Sequence, residues 1–400
     1  MTALAIEPAT ETRPEPQRPG CVITADATYA ARLAHDGASP GSWFPERWTL
    51  DGPEPYAVPL PAQQPEEPGT AVLPLADGRV LIRREADGRH LFSLLYPTGP
   101  GTGEVLLGAV ECGELTLLPP APDGRRAYAL AVREETTDVW LVVGGAFGPE
   151  HVAEVKGRCS GGVWLDPAGR LLALDREPPG GGPVKTVAVD LDRGGEISPL
   201  LQITEDSEDR LLLADVDSGL ILVRSDAAEP GRPRLGWGVL GSTLPIRFPR
   251  ALRLADCAVT PFAVQPGQTL MPENCAVALR IEGTAGAAGA AGGAGAAGGA
   301  GAAGGVPWLG VWRPSEGKVR QLHAPQGWLA GCGFWSREGV LALPYVTQDV
   351  PCGLARVAAP DAEPEAEAVP AASPAAAPAP AAPRPVPLAQ APLGGRGAGG

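Results

Sequence analysis

The chain has 400 residues, of which 54 are Gly and 46 are Pro; punctuation at a quarter of all positions excludes a helical bundle and favours short strands joined by tight turns. Its formal charge of −14, from 46 acidic and 32 basic residues, opposes binding to nucleic acid or to anionic membranes, both of which rely on basic patches. An apolar fraction of 44% is enough for a sizeable core.

Residues 1–20 lack the basic and apolar regions of a secretory leader and read as a disordered tail. No run approaches the roughly 18 apolar residues of a membrane span. The seven cysteines, Cys21, Cys112, Cys159, Cys257, Cys275, Cys332 and Cys352, include no CxxC pair and fit neither a zinc site nor a dense disulfide framework. A reducing cytoplasm is the expected setting. With three Lys among the 32 basic residues and so much Ala, Gly and Pro, the composition points to a GC-rich genome.

From Cys21 onward a degenerate unit ends in a hairpin formed by ERWTLDG (46–52) and EPYAVPLP (54–61). After it, the same turn recurs before an apolar strand: Asp77-Gly78-Arg79 before VLIRR, Asp123-Gly124-Arg125 before RAYALAV, Asp166 to Gly169-Arg170 before LLALD, Asp217-Ser218-Gly219 before LILVRS, and Glu338-Gly339 before VLALPYV. The glycines are 46, 45, 50 and 120 residues apart. The last interval holds two units once a Gly/Ala insertion at 283–305 is set aside, and the missing anchor falls at Pro272-Glu273-Asn274 before CAVALRI.

Each unit reads as four strands. The second comprises GELTLLPPA, RAYALAV, DVWLVVGG and HVAEVKG; the third comprises GGVWLDP, LLALD, KTVAVDL and EISPLLQI. The first ends in HLFSLLYP and EVLLGAV, the fourth in RLGWGVLG and LPIRFPR, the fifth in PWLGVWRP and KVRQLHAP. In the last, CGLARVAA is the third strand, and PRPVPLAQAPL (383–393) supplies the fourth after an Ala/Pro/Glu insertion at 360–383.

A four-stranded antiparallel unit recurring every 45 to 50 residues predicts an all-β fold, a β-propeller. Six units are clear and the degenerate N-terminal one makes a seventh blade. The propeller is a single domain over 21–393 with loop insertions at 283–305 and 360–383, followed by a disordered tail at 394–400.

The Pro122-Asp123-Gly124-Arg125 turn, its apolar strand and the following Val139-Trp140-Leu141 strand resemble the WD40-like repeat of TolB-type propellers. They are similar also to the propellers of prolyl-oligopeptidase-like proteins. The resemblance covers roughly 66–359 and implies a fold. The Gly-His and Trp-Asp dipeptides of true WD40 blades are missing, and Ser-Pro-Asp-Gly is fully matched nowhere.

A serine hydrolase needs a Gly-x-Ser-x-Gly elbow within an α/β domain; no such pentapeptide occurs, and Ser160 and Ser242 read as turn residues. His35, His90, His151 and His323 share no blade position, so they read as surface histidines and no histidine metal centre is expected. The densest charge cluster is Glu205, Asp206, Glu208 and Asp209, with Asp215 and Asp217 following. It is a solvated interblade loop or, through Glu205, Asp206, Asp209, Asp215 and Asp217, an ion-binding one, although the distal Glu of an EF-hand is missing. Phe92, Trp140, Trp237 and Trp312 fall on third strands and are expected to fill the spaces between blades. Trp164 and Trp335 fall on first strands, where they could line a channel rim.

The expectation is therefore a non-catalytic, cytoplasmic, monomeric propeller that presents a surface to a protein partner and needs no cofactor. Two alternatives stand beside it: an enzyme with a carboxylate-lined axial pocket acting on a small molecule or sugar, and an accessory propeller for a separate peptidase chain.

Overall fold

A computed structural model describes residues 20–35, 42–267, 270–283 and 307–360. The expected insertions, the N-terminal tail and the 383–393 strand lie almost wholly outside the described residues. The described strands form seven antiparallel sheets on a four-stranded plan, each built from consecutive strands.

Blade 1 contains β1 (Val22–Ile23), β2 (Tyr29–His35), β3 (Trp43–Thr49) and β4 (Tyr56–Pro59). Blade 2 contains β5 (Ala71–Pro74), β6 (Val80–Ala86), β7 (Arg89–Pro97) and β8 (Thr102–Glu111). In blade 3 these are β9 (Glu114–Leu117), β10 (Ala127–Val132), β11 (Thr136–Val143) and β12 (Glu150–Lys156). Blade 4 has β13 (Arg158–Trp164), β14 (Leu171–Glu177), β15 (Lys185–Asp190) and β16 (Glu196–Leu201). Blade 5 has β17 (Asp209–Ala214), β18 (Leu220–Ser225) and β19 (Arg234–Val239). Blade 6 follows with β20 (Cys257–Val264), β21 (Val277–Gly283), β22 (Trp308–Trp312) and β23 (Arg320–Leu322). Blade 7 has β24 (Phe334–Trp335), β25 (Val340–Tyr345) and β26 (Gly353–Ala358).

The degenerate N-terminal region is thus a complete blade, and the seven-bladed propeller stands. The fourth strand expected at LPIRFPR is reduced to one bridge, in which Trp237 and Arg247 exchange two 2.9 Å backbone bonds. Pro245 and Pro249 flank that bridge, and neither has an N–H with which to extend a ladder.

The second strands read as nearly continuous apolar runs because they are buried on both faces. In β18, Leu220 and Leu222 pack toward blade 6, whereas Ile221 and Val223 pack toward blade 4. In β10, Ala127, Ala129 and Ala131 face blade 2 while Tyr128, Leu130 and Val132 face blade 4. Side chains alternating with period two along a strand produce this division. Phe92, Trp237 and Trp312 are buried in the resulting interblade cores, and Trp140 packs against one of them.

Each neighbouring pair of blades shares its own apolar cluster, and the seventh cluster joins the first blade to the last. There Cys21, Ala30, Trp48 and Leu50 meet Cys332, Phe334, Cys352 and Leu354. The Cys332 thiol donates to the Cys21 carbonyl at 2.7 Å. Ring closure is therefore face-to-face packing across this seam, with no strand exchanged between blades 1 and 7 among the described residues.

The repeated turns lie between first and second strands. Gly78, Gly124, Gly169, Gly219 and Gly339 all adopt φ between 64° and 81°, the left-handed region that glycine enters without a Cβ penalty. Gly124 also has a packing reason, since a Cβ there would lie 2.5 Å from the Ala76 side chain of the preceding blade; its carbonyl accepts from Ala76 N at 2.8 Å. In blade 1 the corresponding turn places Ala27 at φ 58°, which is why no glycine signals it.

The turn aspartates hold the turn closed through their carboxylates. Asp77 Oδ1 accepts from Arg79 N at 3.0 Å, and Asp123 Oδ1 from Arg125 N at 3.0 Å. Burial pushes both carboxyls up, but bonds from the Arg79 side chain and amide, and from the Arg125 amide and Arg126, outweigh it and hold them below the ordinary 3.8. A carboxyl depressed by folding contributes stability above its unfolded pKa and loses it as pH falls through the folded value. Thermal unfolding between about pH 5 and pH 3 is therefore expected to show a falling midpoint. In the Asp77→Asn/Asp123→Asn protein the fall should be shallower, and parallel curves would contradict this assignment.

Candidate functional site

A cavity of about 790 Å³ opens along the first strands of blades 1 to 4, 6 and 7. Cys21–Ile23, Ala71–Leu73 and Leu115–Leu118 line it, with Ala31–Leu33 from β2, Gly161 and Gly162 from β13 and Gly331 to Gly333 from blade 7. Gly161 and Gly162, at φ 77° and 127°, form a bulge in β13 between Ser160 and Val163. A Cβ on Gly162 would lie 2.5 Å from the Leu118 side chain, so glycine is what lets these strands approach.

The charged residues on this wall are Arg32 and Arg83, and no Asp, Glu or His lines it. Arg32 Nε donates to Glu46 Oε2 at 2.6 Å, and Arg83 Nη1 to the Leu115 carbonyl at 2.9 Å. Backbone, small residues and apolar side chains make up the rest of the wall. The carboxylate-lined axial pocket therefore lacks its carboxylates on this surface.

Trp164 and Trp335 are buried between blades, 7% and 5% exposed, rather than at the channel rim. Trp164 packs between blades 3 and 4 and donates from Nε1 to the Pro119 carbonyl at 3.2 Å. Trp335 packs between blades 6 and 7. Placement on a first strand did not decide their direction; the face of the pleat did.

The acidic cluster is divided by β17. Asp209, at its start, is fully buried and accepts from Lys185 Nζ at 2.8 Å, Ser225 Oγ at 2.6 Å, Ser207 Oγ and Ile203 N. Asp215, beyond its end, is the repeat's turn aspartate and accepts from Ser218 N at 2.8 Å and Gly267 N at 3.2 Å. Six residue steps along the strand separate them, about 20 Å. Glu205, Asp206 and Asp217 are exposed. Among the described residues no three His, Cys, Asp or Glu side chains are grouped to hold a metal ion.

His90, expected at the surface, is buried with Nδ1 3.3 Å from Arg83 Nη1; burial, then the Arg83 charge, lowers its pKa. Ser160 lies in β13 rather than in a turn, 3.4 Å from Arg210 Nη1. All seven cysteines are free.

Two features escaped the sequence reading. Phe147, in the β11–β12 turn, is 99% exposed, and Leu106 and Val105 on β8 are 66% and 47% exposed. The turn sits on β8: a Cβ on Gly148 would meet the Leu107 carbonyl at 2.5 Å, and one on Gly108 would meet Pro149 at 2.9 Å. Val105 pairs with Leu94 of the blade 2–3 cluster and so faces the side of blade 3, where Phe147 projects, whereas Leu106 pairs with Ser93 and faces the opposite side of the sheet. A lone aromatic inside Gly144-Gly-Ala-Phe-Gly-Pro149 was the available signal. The second feature is an arginine-lined cavity between blades 5 and 6, which the spacing of Arg224, Arg232 and Arg234 foreshadows.

Fold and surface together define a β-propeller, and its likeness to TolB-like and oligopeptidase-type propellers is one of fold. No family model and no curated protein matches the chain. Among solved structures it is similar to a puromycin-hydrolysing peptidase from Mycobacterium tuberculosis, at 14% identity over 84% of this chain and 50% of that one, TM-score 0.50. It is also similar to the β-propeller domain of the Trilobed protease from Pyrococcus furiosus, at 10% identity over 82% and 89%, TM-score 0.47. TolB from Acinetobacter baumannii matches at 14% identity over 57% of this chain and 55% of its own, TM-score 0.38. The chain spans about half the length of the peptidase and of TolB, and identities this low speak for fold alone.

Proposed function

We propose that this chain is a non-catalytic, monomeric cytoplasmic propeller that docks a protein partner on the outer edges of blades 2 and 3. The observation that carries the reading is the exposure of Val105 and Phe147, large apolar side chains on the facing sides of blades 2 and 3, beside the outer strand of blade 2. Exposed clusters of this kind, rimmed by polar groups, mark interaction sites.

The occupant that fits is an extended segment of the partner, apolar at its centre and basic at its flanks. β8 is an edge strand of ten residues, and an edge strand can accept one more strand through its main-chain groups. On that strand Glu111 is exposed, while Glu104 is paired with Arg84, and the net charge of −14 favours a basic partner. The same charge supports a partner other than nucleic acid or an anionic membrane.

Affinity capture from the native host, run in parallel with the wild-type chain and a Val105→Glu/Phe147→Glu double variant, tests this. A partner retained by the wild type should be lost from the variant by at least about tenfold, as for removal of an interface hot spot, with an unchanged melting temperature. Equal recovery on both would contradict the assignment.

A further inference from the structure

Although the protein is strongly acidic, a cavity of about 490 Å³ between blades 5 and 6 is lined by Arg224, Arg232, Arg234 and Arg253, with Glu229 the sole acid among its lining residues. Arg232 and Arg253 share that one carboxylate, at 3.0 and 3.4 Å. Arg234 Nη2 donates to the Phe248 carbonyl at 3.3 Å. Three positive charges on the wall are therefore in excess.

Arg224 is the residue whose position most needs explaining. It sits on β18 directly opposite Arg210 of β17 in the register, and like charges facing each other across strands destabilise a sheet. It has no carboxylate or hydrogen-bond acceptor among the described residues. Burial, with the charge of Arg210, lowers its pKa. A half-buried guanidinium is ordinarily paired, and an anion in the cavity would supply the partner this one needs.

We propose that the cavity between blades 5 and 6 binds a small molecule bearing a doubly charged phosphate or a pyrophosphate group, with Arg224 as its principal ligand. Arg224 comes from β18, Arg234 from β19 and Arg253 from the link into blade 6, so donors from three elements serve one cavity. A tetrahedral oxyanion can use donors arriving from different directions, and the guanidinium fork suits it. The volume lies within the usual range for small-molecule sites.

Isothermal titration of the full chain with pyrophosphate at low ionic strength tests the proposal, with citrate as a multiply charged carboxylate control. Pyrophosphate should bind and raise the melting temperature. Arg224→Ala should weaken binding roughly ten- to a hundredfold, the scale of lost charge-assisted hydrogen bonds, while Arg356→Ala on β26 should leave it unchanged. Without anion, Arg224→Ala should melt no lower than the wild type, because the change also removes the facing like charge. No binding of pyrophosphate, or equal binding by Arg224→Ala, would overturn the site; equally tight citrate binding would overturn its assignment to phosphate.

Discussion

Asp209→Ala is expected to destabilise the protein by about 3–5 kcal/mol, the range for removing one member of a buried ion pair. The carboxylate is fully buried while its partner, Lys185, is 13% exposed, so the substitution strands an ammonium in the core. It also removes the acceptor for Ser207, Ser225 and the Ile203 amide. The Thr204 and Ser207 carbonyls still accept from Lys185, which solvates the ammonium without neutralising it. The double variant Asp209→Ala/Lys185→Met should recover part of the loss, since replacing both members of a buried pair by apolar groups is often near neutral. Chemical denaturation of the three proteins checks this. A single variant as stable as the wild type would show that Asp209 is not a structural hub, and stabilisation of the wild type by Ca²⁺ would restore the ion-binding alternative.

Trp48→Ala should cost about 3–5 kcal/mol, the usual range for truncating a buried Trp. Trp48 is fully buried in the cluster that joins blade 1 to blade 7. Its Nε1 donates to Glu46 Oε2 at 2.8 Å, and the Arg32 guanidinium lies 5.4 Å from its ring centroid. Because no strand is exchanged across this seam among the described residues, side-chain packing is the restraint seen there, and a cavity weakens the ring at one place. Hydrogen exchange should accelerate first in β2, β3, β25 and β26. Uniform acceleration around the ring would contradict a local seam.

The fold was legible because turn chemistry and strand period agree. Gly78, Gly124, Gly169, Gly219 and Gly339 mark turns whose φ is positive in every case, and the apolar runs after them are strands buried on both faces. Blade 1 looks degenerate in sequence because its turn uses Asp26 and Ala27 where other units use glycine. In sequence LPIRFPR looks like a full last strand of blade 5 because its apolar residues hide the effect of its two prolines.

The surface was less legible, for physical reasons. Whether Trp164 and Trp335 face the axis or a neighbouring blade depends on one step of pleat phase, and the bulge at Gly161 and Gly162 shifts that phase within β13. Asp209 and Asp215 are close in sequence, yet an extended strand carries them apart. Conversely, Arg224, Arg234 and Arg253 share a cavity because blades 5 and 6 face each other, and turn spacing alone does not fix that contact.

The described blades form a ring of seven in which residues 22–59 make the blade that packs against the last. A crystal structure of the full chain tests it most directly. It should show four antiparallel strands within 22–59, with Trp48 and Cys21 buried against Cys332 and Phe334. A six-bladed ring with this segment placed elsewhere, or an open gap between the first and last blades, would contradict it.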